Sequence, residues 1–284
     1  MARGLSWGCV LGLPIAVLLL AATMAFGGEV LGPEGVLIKP DAPALSARDV
    51  TVAFFKAKSG GGRIDFSGRN LRDLDLSGLD FHAARLTGAD LFGADLTSAN
   101  LTGVDLSGGN LNRTTVIRTD FSGANLHNAM FMRPSVSTTL DYDVAEAPKF
   151  AGADMRNIRM TSKMVGADFR GANLTGALLG PHEPRADITN LPASILKSCD
   201  FSGATLTDVD LSRAVLTFSR FVGADLRRAN LAMADLTKAD LSGADLTGAD
   251  LTDANLDEAN LAGVNGFETV RGRDSIRNLD RALR

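Results

Sequence analysis

A large apolar residue, nearly always Leu or Phe, returns at every fifth position through most of residues 66–261, and the clearest stretch reads ADLTKADLSGADLTGADLTDANLDEANL over residues 234–261. Fixed-period self-similarity of this kind marks a solenoid. An α-helix is excluded, because five residues advance roughly 140° around its axis and the leucines would spiral over every face. One continuous strand is excluded as well, since side chains alternate with period two and an odd spacing flips each repeat to the opposite face. A short strand followed by a turn satisfies the period. With the large apolar residue as the centre of each repeat, the residue two before it shares its inward face and the residue just before it points outward. The two residues after it carry the chain around a corner.

Residue types fit these roles. Centres run from Phe66, Leu71, Leu76 and Phe81 to Phe131, and from Phe201 to Leu261 without exception. Two positions earlier the side chain is small: Ala89, Ala94 and Ala99, then every fifth residue from Ala224 to Ala259. A narrow tube has room for one large side chain per wall, so Ala beside Leu is a packing solution. The outward residue is mostly Asp or Asn, whose side chains bond nearby backbone while staying wet. This A(D/N)Lxx signature resembles the pentapeptide-repeat family. The resemblance implies an all-β fold, a right-handed quadrilateral β-helix with short helical caps and four pentapeptides per coil. Eight or nine coils are expected, in a tube about 40 Å long.

Residues 1–28 read as a secretory signal peptide, with Arg3 ahead of an apolar stretch from Val10 to Phe26 and small residues around Ala25 and Gly27. A periplasmic or otherwise exported protein follows, with the thylakoid lumen as the alternative, and no stable membrane span after cleavage. A retained anchor is the lesser reading, because Gly12 and Pro14 make that stretch a marginal spanning helix. Once the leader is removed Cys199 is the sole cysteine, which excludes an intramolecular disulfide and places a small core residue where Ala usually sits. Residues 29–63 read as a linker and N-terminal helical cap, with Ser46 as N-cap and Phe54 and Phe55 as the plug. The β-helix is expected over 64–262, with loops near 133–148 and 180–198. Residues 263–284 read as a C-terminal helical cap starting at Asp274 or Ser275. Phe131 and Phe150 stand 19 apart, one short of a coil; Leu179 and Phe201 stand 22 apart; and the period slips by one between Met160 and Met164.

Motifs for chemistry are missing. His82, His127 and His182 are scattered, no phosphate loop or nucleophile elbow is present, and no cofactor is expected. Carboxylates recur only because Asp recurs at the outward position, and parallel side chains on a flat wall do not converge as calcium requires. A non-catalytic scaffold or interaction module of the cell envelope is therefore expected, with an unidentified protein partner and no nucleic acid. It would bind through a flat wall or through the irregular middle, where Arg133, Tyr142, Asp143, Arg156 and Arg159 lie, together with His182 and Arg185. Charge has texture. Acids dominate 223–262, whereas Arg271, Arg273, Arg277, Arg281 and Arg284 crowd the end, and the net is −4. That basic end leaves open a homodimer through the C-terminal cap. The alternative function, again implied by the resemblance, is a DNA mimic binding a type II topoisomerase such as DNA gyrase. The leader and the modest net charge argue against it.

Overall fold

Each repeat closes as its period demands. In the computed structural model, which describes residues 30–31, 37–38, 44–60, 64–82, 84–138, 143–180 and 194–284, the outward residues stack in parallel bridges one coil apart. Asp225 pairs with Asp245, Asn230 with Asp250 and Asp240 with Asn260. Four columns of such bridges form four walls: wall one from Asp65 to Asn265, wall two from Asn70 to Arg271, wall three from Asp75 to Arg277 and wall four from Asp80 to Leu283. The result is a right-handed quadrilateral β-helix whose interior holds the centres and their small neighbours, Leu236 and Ala234 among them, at 0 % exposure.

Three backbone bonds recur in every regular repeat. The centre donates to the outward carbonyl of the next coil (Phe66 N to Arg85 O, 2.8 Å), the second corner residue donates likewise (Gly68 N to Thr87 O, 2.8 Å), and the next N–H closes a turn (Arg69 N to Phe66 O, 3.0 Å). The outward Asp or Asn fixes that turn from outside. Its Oδ1 accepts the N–H two residues on, as from Ser67 to Asp65 at 2.9 Å and from Thr252 to Asp250 at 3.0 Å. Where Asn stacks on Asp, its Nδ2 donates to the carboxylate below, Asn100 to Asp80 at 2.8 Å and Asn260 to Asp240 at 3.0 Å. These bonds replace like-charge repulsion with a charge-assisted contact.

Wall one carries ten rungs: nine coils fill 65–264, as expected of the repeat, and the tenth rung opens the terminal coil. Asp120 bridges Lys149 and Asn173 bridges Thr205, separations of 29 and 32 in place of 20, so the interruptions are insertions of nine and twelve residues within coils. The Phe131–Phe150 spacing of 19 is thus two walls, ten residues, plus nine, and not a coil short by one. The slip at Met160–Met164 is a true shortening, since Lys149 bridges Asp168 only 19 residues on. On the inner side of wall four, Phe121, Phe150, Phe169, Phe201 and Phe221 stack through these irregular coils, with centroids 5.1, 4.9, 4.7 and 4.9 Å apart and planes within 6°. The first insertion returns through a 3-10 turn, Val144–Glu146. The Glu146 carboxylate takes hydrogen bonds from Ser137 Oγ (2.7 Å), Thr138 N (2.8 Å) and Thr138 Oγ1 (2.7 Å), which latch the loop shut.

Helix α1, Ala47–Gly60, covers the N-terminal end of the tube, and the strands β1 (Val30–Leu31) and β2 (Leu37–Ile38) pair antiparallel ahead of it. Ser46 and Asp49 form a reciprocal cap, Asp49 N donating to Ser46 Oγ at 3.2 Å and Ser46 N to Asp49 Oδ2 at 2.9 Å. Val50 is buried and Phe54 meets Phe81 edge-on at 5.0 Å, but Phe55 is 73 % exposed. Successive helical residues point about 100° apart, so one of the two expected plugs faces water.

The C-terminal cap is not an α-helix. Residues 265–283 complete a tenth coil whose outward residues, Asn265, Arg271, Arg277 and Leu283, stand six apart. The extra residue on each side forms a 3-10 turn: Phe267–Thr269, Arg273–Ser275 and Leu279–Arg281. Left-handed Gly266, Gly272 and Asn278 start these turns, not Asp274 or Ser275. A Cβ on Gly266 would stand 2.6 Å from Thr247 Cα, and one on Gly272 would stand 2.6 Å from Thr252 N, so glycine is required at both. Pairing with the open edge of the ninth coil satisfies backbone that a helix would have left stranded there.

Candidate interaction face

Catalytic chemistry finds no foothold among the described residues. No three His, Cys, Asp or Glu gather as a metal group, and burial pushes the Cys199 thiol up to about 12, which keeps it inert. The outward carboxylates are occupied in turns and ion pairs. No helix among the described residues is long and apolar enough to cross a membrane.

Arginine pairing divides the surface. On wall one Arg156 grips Asp154 with two bonds (2.8 and 2.6 Å) and Arg227 grips Asp225 in the same way. Arg227 is the main reason that Asp225 falls to about 2. Arg228 clasps Asp208, and in the terminal coil Arg281 reaches Asp257 (2.9 Å) and Glu258 (3.0 Å) while Arg271 approaches Asp250 (3.8 Å). Arg273 lies over Phe267 of the same chain, 5.5 Å from the ring centroid. Arg271 and Arg281 of the basic end are thus counterions for Asp250, Asp257 and Glu258 of the acidic stretch.

Wall three departs from the outward Asp/Asn pattern from Thr115 to Val215, and so does the middle of wall two. In three consecutive coils the outward position of wall two is Met130, Arg159 and Leu178, none of which can close the Asp/Asn turn. The backbone stays extended instead: β3, Met130–Met132, pairs parallel with β4, Arg159–Thr161, and Met132 N donates to Asn112 Oδ1 of the coil before at 2.7 Å. No Asp or Glu occupies an outward position of wall two between Asp90 and Asp210. Arg133 and Arg113 are exposed on the adjoining corner, one coil apart. Among the described residues no carboxylate pairs with Arg113, Arg133 or Arg159, in contrast to the arginines of wall one. Phe92 lies between Arg72 and Arg113, 4.3 and 5.7 Å from its ring centroid, and Leu178 is 45 % exposed.

The contact residues suggested by sequence are thus dispersed. Arg133 and Arg159 share wall two and its corner, Arg156 is tied down on wall one, and Asp143 caps the loop turn by accepting from Ala145 N at 2.9 Å. Tyr142, His182 and Arg185 lie outside the described residues. The stacking of Arg113 on Arg133 is legible in the sequence, but Met130, Leu178 and Phe92 are not among the expected contact residues. Their signal was available as apolar residues at outward and corner positions where the repeat places Asp, Asn, Ser or Gly.

A tube of four walls built on A(D/N)Lxx rungs is a pentapeptide-repeat solenoid. A family model described as pentapeptide repeats matches eight copies, over residues 63–97, 99–133, 194–232 and 234–265. The chain belongs to the pentapeptide-repeat family. Among solved structures it is similar to HetL, a pentapeptide repeat protein involved in heterocyst differentiation regulation from the cyanobacterium Nostoc sp. strain PCC 7120, at 25 % identity over 84 % of this chain and 94 % of that one (TM-score 0.42). It is also similar to QnrB1, a plasmid-mediated fluoroquinolone resistance protein, at 15 % identity over 64 % of this chain and 90 % of that one (TM-score 0.37). A third is a pentapeptide repeat protein from the thylakoid lumen of Arabidopsis thaliana, at 23 % identity over 62 % of this chain and 88 % of that one (TM-score 0.12). No curated protein matches the chain.

Proposed function

We propose that this protein is a non-catalytic interaction module, exported to the cell envelope by its leader, which engages a protein partner through the middle of wall two. The observation that supports this reading is a combination: wall two loses the outward Asp/Asn over three coils and carries there arginines with no carboxylate partner among the described residues, whereas wall three loses Asp/Asn from Thr115 to Val215 without gathering such arginines. Leu178 adds an aliphatic side chain, 45 % exposed, beside the arginines of wall two. The DNA-mimic alternative is weakened because Asp225, Asp250, Asp257 and Glu258, half of the eight acids of 223–262, are matched by arginines of the same chain.

The test is made in the native host. A photo-crosslinking residue at Leu178 should give a partner adduct in the envelope fraction, one at Asp240 should not, and mass spectrometry of the mature chain should find its N-terminus near Phe26 to Glu29. An intact cytosolic protein beginning at Met1 sinks export. Equal adducts from both positions sink the assignment of the face.

A further inference from the structure

From the chemistry of this face we infer the class of its occupant: an extended, acidic protein segment carrying aliphatic side chains, laid along wall two. The inference rests on the reading of wall two as the binding face and adds what that face selects. Arg113 and Arg133 stack on the corner after wall two, and Arg159 stands on the wall itself in the next coil, so three guanidinium groups fall in three successive coils spaced roughly 5 Å apart along the tube. Guanidinium favours paired bonds to carboxylate, as Arg156 and Arg227 demonstrate within this molecule. These three lack such a carboxylate among the described residues, although the chain carries a net charge of −4. Beside them Met132 is half-buried and Leu178 half-exposed, a short apolar track flanking the charge.

An extended segment advances about 3.3 Å per residue, so carboxylates two or three residues apart reach successive arginines. The residues between them turn toward Leu178. A duplex nucleic acid fits poorly, because its backbone carries a charge every ~1.7 Å and is wider than this strip. It would meet the Asp ladder of wall one, where Asp105, Asn125, Asp154 and Asn173 line the same coils. A lipid surface fits poorly too, since it needs a broader apolar face than one leucine and one methionine supply.

The test uses the full chain and fluorescein-labelled peptides of about a dozen residues, with binding read by fluorescence anisotropy. The alternating Glu/Leu peptide should bind, Lys/Leu should not, and Glu/Ser should bind more weakly than Glu/Leu. Substituting R133E and R159E together should weaken Glu/Leu binding by at least about tenfold. Arg156→Ala, on wall one, should leave it within about twofold. Thermal melts of each variant separate loss of binding from loss of fold, and Leu178→Ser offers a milder second variant that should abolish the preference for Glu/Leu over Glu/Ser. Glu/Leu binding no tighter than Lys/Leu, or unchanged in R133E/R159E, overturns the inference. So does displacement of the peptide through the same arginines by duplex DNA or by phosphatidylglycerol vesicles at equal potency. A crosslinked adduct at Leu178 without peptide binding would refute this chemistry while sparing the face. Peptide binding without any adduct would count against the face as the site of function and leave its selectivity standing.

Discussion

The coils of residues 196–265 and those of residues 130–180 share one interior and have different exteriors. In the former the outward position is mostly Asp or Asn, with a left-handed residue at each corner. In the latter one insertion, one deletion and six outward residues other than Asp or Asn (Met130, Ser135, Lys149, Arg159, Lys163 and Leu178) accumulate, with a second insertion just beyond, yet Met155, Met160, Met164, Phe169 and Leu174 are as fully buried as any leucine of the regular block. The inward code is therefore what makes a tube, and the outward code makes its surface uniform. Where the outward code lapses the core is reinforced, since the stack of five phenylalanines runs through the irregular coils and gives way to Leu241 and Leu261 once regularity has returned.

This contrast can be broken at several levels. Leu236→Asp places a carboxylate at a position with 0 % exposure and should cost more than about 4 kcal/mol, because each coil leans on its neighbours. A melting temperature left unchanged in circular dichroism would mean that centres do not face inward. Phe169→Ala, at the middle of the aromatic stack, should cost about 3–5 kcal/mol. Hydrogen exchange should rise first in residues 143–180 and leave residues 225–265 protected; equal loss in both blocks would erase the distinction between them.

Acid should act on the irregular block more locally. The Ser137 hydroxyl, followed by the Thr138 side chain and N–H, holds Glu146 down to about 2, against an ordinary value of 4.5. A carboxyl depressed in the folded state stabilises fully above its unfolded value and loses that contribution as pH falls toward the folded one. The loop latch should therefore hold above about pH 4.5 and release as pH falls toward about 2. NMR of the Thr138 amide would follow the release, and Glu146→Gln should flatten the transition. The smallest effect belongs to the regular exterior. Asp240→Asn keeps the oxygen that accepts from Ser242 N and Asn260 Nδ2, and should shift stability by less than about 0.5 kcal/mol in denaturant unfolding.

Sequence carried the inward code almost completely, because burial at a fixed period leaves few residue choices: Leu, Phe and Ala at the repeating positions announced both the tube and its core. It carried less of the exterior. Both insertions were visible as broken spacing, but spacing alone cannot assign a residue to a wall, so Phe131 to Phe150 was counted against a whole coil and not against two sides. Arg156 and Arg159 are three apart in the chain and belong to different walls, which separates a contact set that looked contiguous. The terminal segment misled for a related reason. Its period changes from five to six, so Val264, Val270, Ile276 and Ala282 fall out of the five-residue register and their pairing with the preceding coil is hidden.

That longer period bears on how such a chain can vary. From Asn265 to Leu283 three sides consume 18 residues, where Asp245 to Asn260 consumes 15. The 3-10 turns take up the extra residue on each of three sides, so a coil of longer period still pairs with all four walls of the shorter one beneath it, and the period of a coil can change without breaking the stack.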